Sequence, residues 1–276
     1  MKKILALALS LVMAAMMFTA CGGDGATPKT RLEQIQEAGV LRVAISPDFA
    51  PSEFKDPVTG EVLGSDVFVA QYIADYLGVE LEIVELDFKA CQVAVSSGTV
   101  DISLSSFAAT AERQENFICT VPYGFSTSED FQGLLVPLDM VEVYNTAESF
   151  AGKTIAVQNA SLQLNLAMAQ LPEDVTFEYV TTVTTGALML STGKVDALVT
   201  TNSTGSLLAG NYEGFAMAAF HLEYNSEGTV GLIQLGQDDL ATAVNEALAQ
   251  MNAEVDWSEI RAQYTDMAAA LGVTNE

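Results

Sequence analysis

Ser96-Ser97-Gly98-Thr99-Val100-Asp101-Ile102-Ser103-Leu104-Ser105-Ser106 returns later in the chain as Ser191-Thr192-Gly193-Lys194-Val195-Asp196-Ala197-Leu198-Val199-Thr200-Thr201. Gly, Val and Asp fall in step, and each copy ends in two hydroxyl residues. A glycine before an apolar run closes a helix and opens a buried strand. The surroundings repeat as well. Leu41–Ile45 reads as a strand, Val67–Leu77 as a helix, Leu81–Leu86 as a strand, Phe88–Ser97 as a helix and Val100–Leu104 as a strand. Lys153–Val157, Ser161–Gln170, Val175–Val180, Thr184–Thr192 and Val195–Val199 give the same order again. Two βαβαβ halves follow, and with them two parallel sheets whose ligand-binding loops lie at the carboxyl edges of the strands.

The flanks of the repeat fill in the rest. Asp66 stands where a side chain caps the helix that begins at Val67. Ser46-Pro47-Asp48-Phe49-Ala50-Pro51 breaks the first strand into a loop. Phe117–Pro137 is apolar and hydroxyl-rich, and suits a passage from one half to the other near Ser126–Phe131. A second apolar passage, Gly214–Leu222, ends the second half. Gly228–Leu235 then reads as a strand, and Asp238–Met251 and Trp257–Leu271 as closing helices, with Trp257 facing the core. Two passages make the first lobe discontinuous and leave a hinged cleft between the lobes.

Chemistry gathers at Leu104-Ser105-Ser106-Phe107-Ala108-Ala109-Thr110-Ala111-Glu112-Arg113. A strand ends there, a small-residue loop offers N–H groups, and a short helix carries an arginine. Helix-start donors favour anions, and a guanidinium grips a carboxylate through two parallel bonds. The stretch suits a carboxylate ligand.

Composition narrows the classes. The chain has 276 residues, 50% hydrophobic and 17% charged, with a net charge of −25. That is globular in composition and excludes a nucleic-acid partner, which requires basic surface, or electrostatic docking on anionic lipid. With one histidine, His221, a Cys/His metal cluster is not expected. No catalytic triad order or phosphate loop appears, and no cofactor is expected. Cys91 and Cys119 suit either a bridge or two buried thiols.

Met1-Lys2-Lys3, the apolar run Ile4–Phe18 and the small residues after it form a secretory signal over 1–20, too short for a comfortable span of ~20 residues. Phe18-Thr19-Ala20-Cys21 resembles the lipobox of bacterial lipoproteins, with Cys21 as the lipidated residue and Phe18 where Leu is usual. The polar stretch 21–30 then reads as a tether.

The ordered set of motifs resembles the family-3 extracellular solute-binding proteins, the amino-acid receptors of ABC importers. It comprises Leu41-Arg42-Val43, Pro51-Ser52-Glu53-Phe54, Gly64-Ser65-Asp66-Val67, Asp87-Phe88, Ser97-Gly98-Thr99-Val100-Asp101, Glu112-Arg113, Pro122-Tyr123, Gly152-Lys153-Thr154 and Gly193-Lys194-Val195-Asp196-Ala197. The resemblance covers about Leu32–Leu271. It implies an α/β, two-lobe periplasmic-binding-protein-like fold of type II with two hinge crossings. Lobe one would comprise 31–127 plus 222–276, and lobe two 128–221. It implies capture of a small carboxylate solute, foremost an amino acid, by hinge closure and its delivery to an ABC permease. The protein would be an extracytoplasmic monomer that meets the membrane only through its lipid anchor.

The resemblance also assigns site residues. Arg113 matches the arginine that grips the ligand α-carboxylate, and Ser106 and the Ala108 N–H the donors beside it. Ser161 matches a lobe-two hydroxyl on the same carboxylate. Phe49 and Phe88 match aromatic walls of the ligand side chain, or else are core plugs. Three departures stand out. Ala108 replaces Ser or Thr, and Ala160 replaces Gly. Thr201 stands where the family carries the aspartate that pairs with the α-ammonium. Either Asn202, Glu53 or Asp48 replaces it or the ligand lacks a conventional α-amine, and Ser52, in place of a bulky aromatic, widens the pocket. The same fold hosts periplasmic cyclohexadienyl dehydratases, for which Glu53 would be the acid, and solute-sensing domains.

Overall fold

The computed structural model describes residues 28–124, 130–212, 214–225 and 228–273. The signal sequence, Cys21, most of the tether and the middle of the first passage lie outside the described residues. All elements below belong to one unit, Arg31–Glu276.

The repeat builds two similar sheets. In the first half α1 (Arg31–Ala38) leads into β1 (Val40–Ile45), and α2 (Ser65–Leu77), β5 (Glu80–Glu85), α3 (Phe88–Ser96) and β6 (Ile102–Phe107) follow. Between β1 and α2 lie three short strands, β2 (Asp48–Phe49), β3 (Glu53–Lys55) and β4 (Val62–Leu63), which pair in a small antiparallel sheet where a plain loop was expected. Then come α4 (Ala111–Asn116), β7 (Phe117–Cys119) and β8 (Gln132–Pro137). The second half has β9 (Thr154–Gln158), α5 (Leu162–Gln170), β10 (Thr176–Val180), α6 (Val183–Ser191) and β11 (Ala197–Thr201). α7 (Asn202–Asn211), β12 (Phe215–Leu222), β13 (Val230–Gln234), α8 (Asp238–Glu254) and α9 (Trp257–Ala270) complete it.

The sheet orders are β5-β1-β6-β13-β7 and β10-β9-β11-β8-β12. In each, three parallel strands come from the repeat and two strands are added by antiparallel pairing. The expectation of two wholly parallel sheets is therefore corrected. One added strand of each sheet, β13 in the first and β8 in the second, runs against the repeat strands, and the edge strands β7 and β12 run with them again. The chain leaves the first sheet after β7 and returns at β13. Between these passages Tyr123 and Thr229 exchange backbone bonds, N–H to O, of 2.8 and 2.9 Å.

The repeated aspartate explains why the halves share a sequence. Asp101 Oδ2 accepts from the Arg42 N–H at 2.7 Å, and Asp196 Oδ2 accepts from the Thr154 N–H at 2.9 Å. Each ties the loop before the third strand to the first strand of its own half. Gly98 and Gly193, at φ 70° and 68°, end the preceding helices in the left-handed conformation that lacks a Cβ penalty.

Helices cover both faces of each sheet, so the central strands are buried on both sides. Leu41, Val43 and Ile45 pack with Ile73, Val244 and Leu248 on one face, and Ala44 packs with Cys91, Val95 and Leu232 on the other. In the second sheet Ile155 and Val157 meet Tyr144 and Phe150, while Ala156 and Leu198 meet Val183 and Leu190. Cys91 and Cys119 are both free thiols.

Candidate functional site

The carboxyl ends of the two sheets face one cleft, with Ser105, Ala108 and Arg113 on one wall and Gln158, Thr201 and Asn202 on the other.

Arg113 is placed by a capped turn. Thr110 is the N-cap of α4 and its Oγ1 accepts from the Arg113 N–H at 3.3 Å. Arg113 is 5% exposed. Nη1 donates to the Ala108 carbonyl at 2.9 Å and Nη2 to the Ala160 carbonyl of the opposite wall at 3.1 Å. The rings of Phe107 and Phe88 lie 5.0 and 5.5 Å from Cζ. Among the described residues no carboxylate pairs with it. Burial lowers its pKa to about 10, so the group stays charged at neutral pH. A buried cation without a counter-ion is costly, and an anionic ligand removes that cost.

The two left-handed non-glycine residues among those described, Ser106 at φ 50° and Ala160 at φ 60°, both sit here. Such backbone costs on the order of 1–3 kcal/mol and collects at ligand sites. Ala160 presents its carbonyl to Arg113. Ser106 turns its N–H to Asp66 Oδ2 at 2.6 Å and its Oγ to Glu53 Oε2 at 3.3 Å.

Those two acids were only partly legible. Asp66 was expected to cap α2; the cap position is Gly64, which makes no side-chain cap. Asp66 lies in the first turn, 2% exposed, and reaches Ser106 instead. Gly64 permits this. At φ 133° a Cβ there would stand 2.1 Å from the Ser52 carbonyl oxygen, so only glycine lets the start of α2 lie on the backbone beside Glu53.

Glu53 is 1% exposed and lies beside Asp66, both meeting Ser106. Burial and the neighbouring Asp66 charge push its pKa well up, and burial lifts that of Asp66 to about 6. Two buried carboxyls side by side disfavour the doubly charged state, and a cationic group brought near them stabilises it. The Tyr123 hydroxyl, 1% exposed, finds no hydrogen-bond partner among the described residues. Glu53, Asp66 and Tyr123 line the same cleft as Arg113. The end of β6 thus runs between an acid pair, touched by Ser106, and a cation, touched by Ala108.

The other expected residues take varied places. Phe49 and Phe88 line the cleft, Phe49 also packing on the second-sheet core and Phe88 tilting onto Phe107 at 4.8 Å. Ser161 caps α5 through the Leu164 N–H at 3.1 Å and is not among the lining residues, unlike its neighbours Leu162 and Gln163. Thr201 caps α7 and exchanges hydroxyl bonds with Ser203 and Thr204. Asn202 holds Phe131 through its N–H and Oδ1. Asp48 is not among the lining residues and binds groups of the second half. Trp257, expected in the core, also lines the cleft, its Nε1–H held by Asn252 at 3.0 Å. Among the described residues no group of three His, Cys, Asp or Glu side chains is placed to hold a metal ion.

Comparison with known proteins agrees with this geometry. The chain is 28% identical over 196 residues to the arginine-binding protein ArgT of Corynebacterium glutamicum, covering 66% of this chain and 60% of that one. It thus spans less than two thirds of that relative. With the ABC transporter glutamine-binding protein GlnH of Bacillus subtilis it shares 25% identity over 94% of this chain and 96% of the other. An amino acid ABC transporter substrate-binding protein from Streptococcus pneumoniae, solved bound to L-arginine, superposes with a TM-score of 0.79 at 28% identity, covering 86% of this chain and 98% of that one. The two-lobe periplasmic-binding-protein-like fold is common to them. The pattern of the bacterial extracellular solute-binding proteins, family 3, spans residues 41–267, and the chain belongs to that family.

Proposed function

We propose that the protein is the substrate-binding lipoprotein of an ABC importer, anchored through Cys21, which closes on an amino acid and presents it to a membrane permease. Lobe one comprises 31–127 and 222–276, and lobe two 128–221. One observation carries the ligand class: a buried guanidinium without a carboxylate partner among the described residues lines the same cleft as a buried acid pair. A solute with a carboxylate at one end and a cationic group at the other satisfies both. Arg113 takes the carboxylate, with Ala108 and Ser106 shaping the wall beside it and Phe49 and Phe88 flanking the side chain. Glu53 and Asp66 face the cationic group in place of the aspartate absent at Thr201, while Ser161, Thr201 and Asn202 hold the second wall in shape. The L-arginine of the streptococcal structure and the arginine-binding ArgT support a basic amino acid as the first candidate.

Closure supplies the mechanism. Bonds such as Arg113 to Ala160 join the two walls and exist only when the cleft is shut, so a ligand that steadies Arg113 shifts the population towards the shut form. Thermal-shift screening of amino acids, their deaminated analogues and small peptides tests the class. A true ligand at a hundred times its Kd adds about 2.7 kcal/mol of stability. A screen in which no amino acid raises the melting temperature contradicts the proposal. The buried acid Glu53 keeps one second reading in view, a cyclohexadienyl-dehydratase-like enzyme, and turnover of arogenate or prephenate by the purified protein would establish it.

A further inference from the structure

We infer that Asp48 is the latch of the shut cleft: a carboxylate carried by the first lobe that seats on the start of a second-lobe helix and takes up a proton as it does so. The inference rests on the closing-cleft reading above.

Asp48 lies in β2 and is 7% exposed. Its Oδ1 accepts from Ser46 Oγ at 2.7 Å, within its own lobe. Its Oδ2 accepts from two groups of the other lobe, Gln158 Nε2 at 3.0 Å and the Val183 N–H at 2.7 Å. Val183 is the first residue of α6, whose N-cap Thr182 accepts from Thr185, so the Val183 N–H is one of the helix donors left for an outside partner. The next residues of the same segment dock too. Phe49 packs on the Leu135–Val183 cluster and the Ala50 carbonyl accepts from Thr204 Oγ1 at 2.9 Å. The segment 48–50 is therefore a tongue held by the second lobe, with Asp48 as its polar tip.

Seating the tongue removes Asp48 from water. The acidic or thiol groups facing it are Asp87 and Cys91 on the α3 side and Glu53 on β3. α6 carries no charged residue, and Gln158 at the end of β9 is neutral. No cation compensates the buried charge among these, and burial raises the Asp48 pKa from 3.8 to about 6 despite the donors. A neutral acid meets every bond: its carbonyl oxygen accepts from Val183 and Gln158 while its O–H donates to Ser46. Shutting the cleft then takes up a proton, so closure is favoured as pH falls, and the advantage disappears as pH rises through about 6. For a group moving between those two values, ligand affinity at pH 5 exceeds that at pH 8 about tenfold.

The test is calorimetric titration of L-arginine at pH 5 and pH 8 into wild type, Asp48→Asn and Asp48→Ala. Asparagine reproduces the protonated acid, so Asp48→Asn binds about a hundredfold more tightly than wild type at pH 8, and this advantage shrinks about tenfold at pH 5. Alanine leaves the Val183 N–H and Gln158 without their acceptor, and binds at least about tenfold more weakly than wild type at pH 5. An Asp48→Asn protein that keeps the wild-type pH slope, or an Asp48→Ala protein that binds as wild type does, overturns the latch. Absence of L-arginine binding in the wild type defeats the arginine assignment alone. The latch is then judged on small-angle X-ray scattering of the unliganded protein. A radius of gyration that falls from pH 8 to pH 5 in wild type and is pH-independent in Asp48→Asn supports it, and the same pH dependence in both proteins, or none in wild type, overturns it.

Discussion

Ser105-Ser106 and Thr200-Thr201 hold the same place at the ends of two equivalent strands, and the molecule uses them in opposite ways. At the first, Ser106 turns into left-handed backbone and binds two buried acids, with Arg113 two turns of chain away. At the second, Thr201 caps a neutral helix and the Thr200 hydroxyl is buried without a partner among the described residues. In the proposed receptor the buried charges that face the ligand lie in the first half, and the second half's Asp130 lines the cleft paired with Arg261. The second half contributes helix caps, an amide and a carbonyl that meet the first when the cleft shuts. On the proposed function, a sequence repeat has been kept as architecture and divided as function, with ligand selection on one side and closure on the other.

The comparison breaks most decisively at Arg113. Arg113→Ala removes the cation of the selecting half and should weaken ligand binding by about 2–5 kcal/mol, the usual range for truncating a buried, hydrogen-bonded charge. The unliganded protein should keep its melting temperature, because the lost charge has no carboxylate partner among the described residues. Calorimetry and a thermal melt of the same preparation read both.

The repeated aspartates sharpen the comparison at the level of architecture. Asp101 is 4% exposed in its side chain and also meets Arg31 at 2.6 Å, whereas Asp196 is 40% exposed with Lys153 at 3.7 Å. Asp101→Ala should therefore cost about 3 kcal/mol in urea denaturation and Asp196→Ala about 1 kcal/mol. Equal costs would mean that the backbone tie alone matters and that burial of the pair does not.

The smallest effect tests the division of labour itself. Asp caps helices as well as Thr does, so Thr201→Asp leaves α7 in place while giving the second half a carboxylate at the strand end, besides the Asp130 already paired with Arg261. For a ligand with an α-ammonium group, affinity should rise by about 1.5 kcal/mol, the lower end for a charged hydrogen bond. A ligand lacking that group should gain nothing.

Much of this was legible before any coordinates. The Gly-x-Val-Asp repeat gave both halves, because local rules, a left-handed helix stop and a strand with a backbone-binding aspartate, act within a few residues. Arg113 was legible for the same reason, since Thr110 fixes its turn. What escaped depends on distant partners. Asp66 has the spacing of a helix cap, yet its acceptor serves Ser106, forty positions along the chain. β8 and β12 were read as passages, and α7 was not anticipated, because Asn202-Ser203-Thr204-Gly205 lacks a helical apolar pattern.

The central claim is that the buried guanidinium exists for a ligand carboxylate. Calorimetric titration of the wild-type protein with L-arginine and with its decarboxylated analogue tests it most directly. The account predicts binding of the amino acid and at least about a hundredfold loss for the amine, the equivalent of about 2.7 kcal/mol. Equal affinity for the two compounds would contradict it.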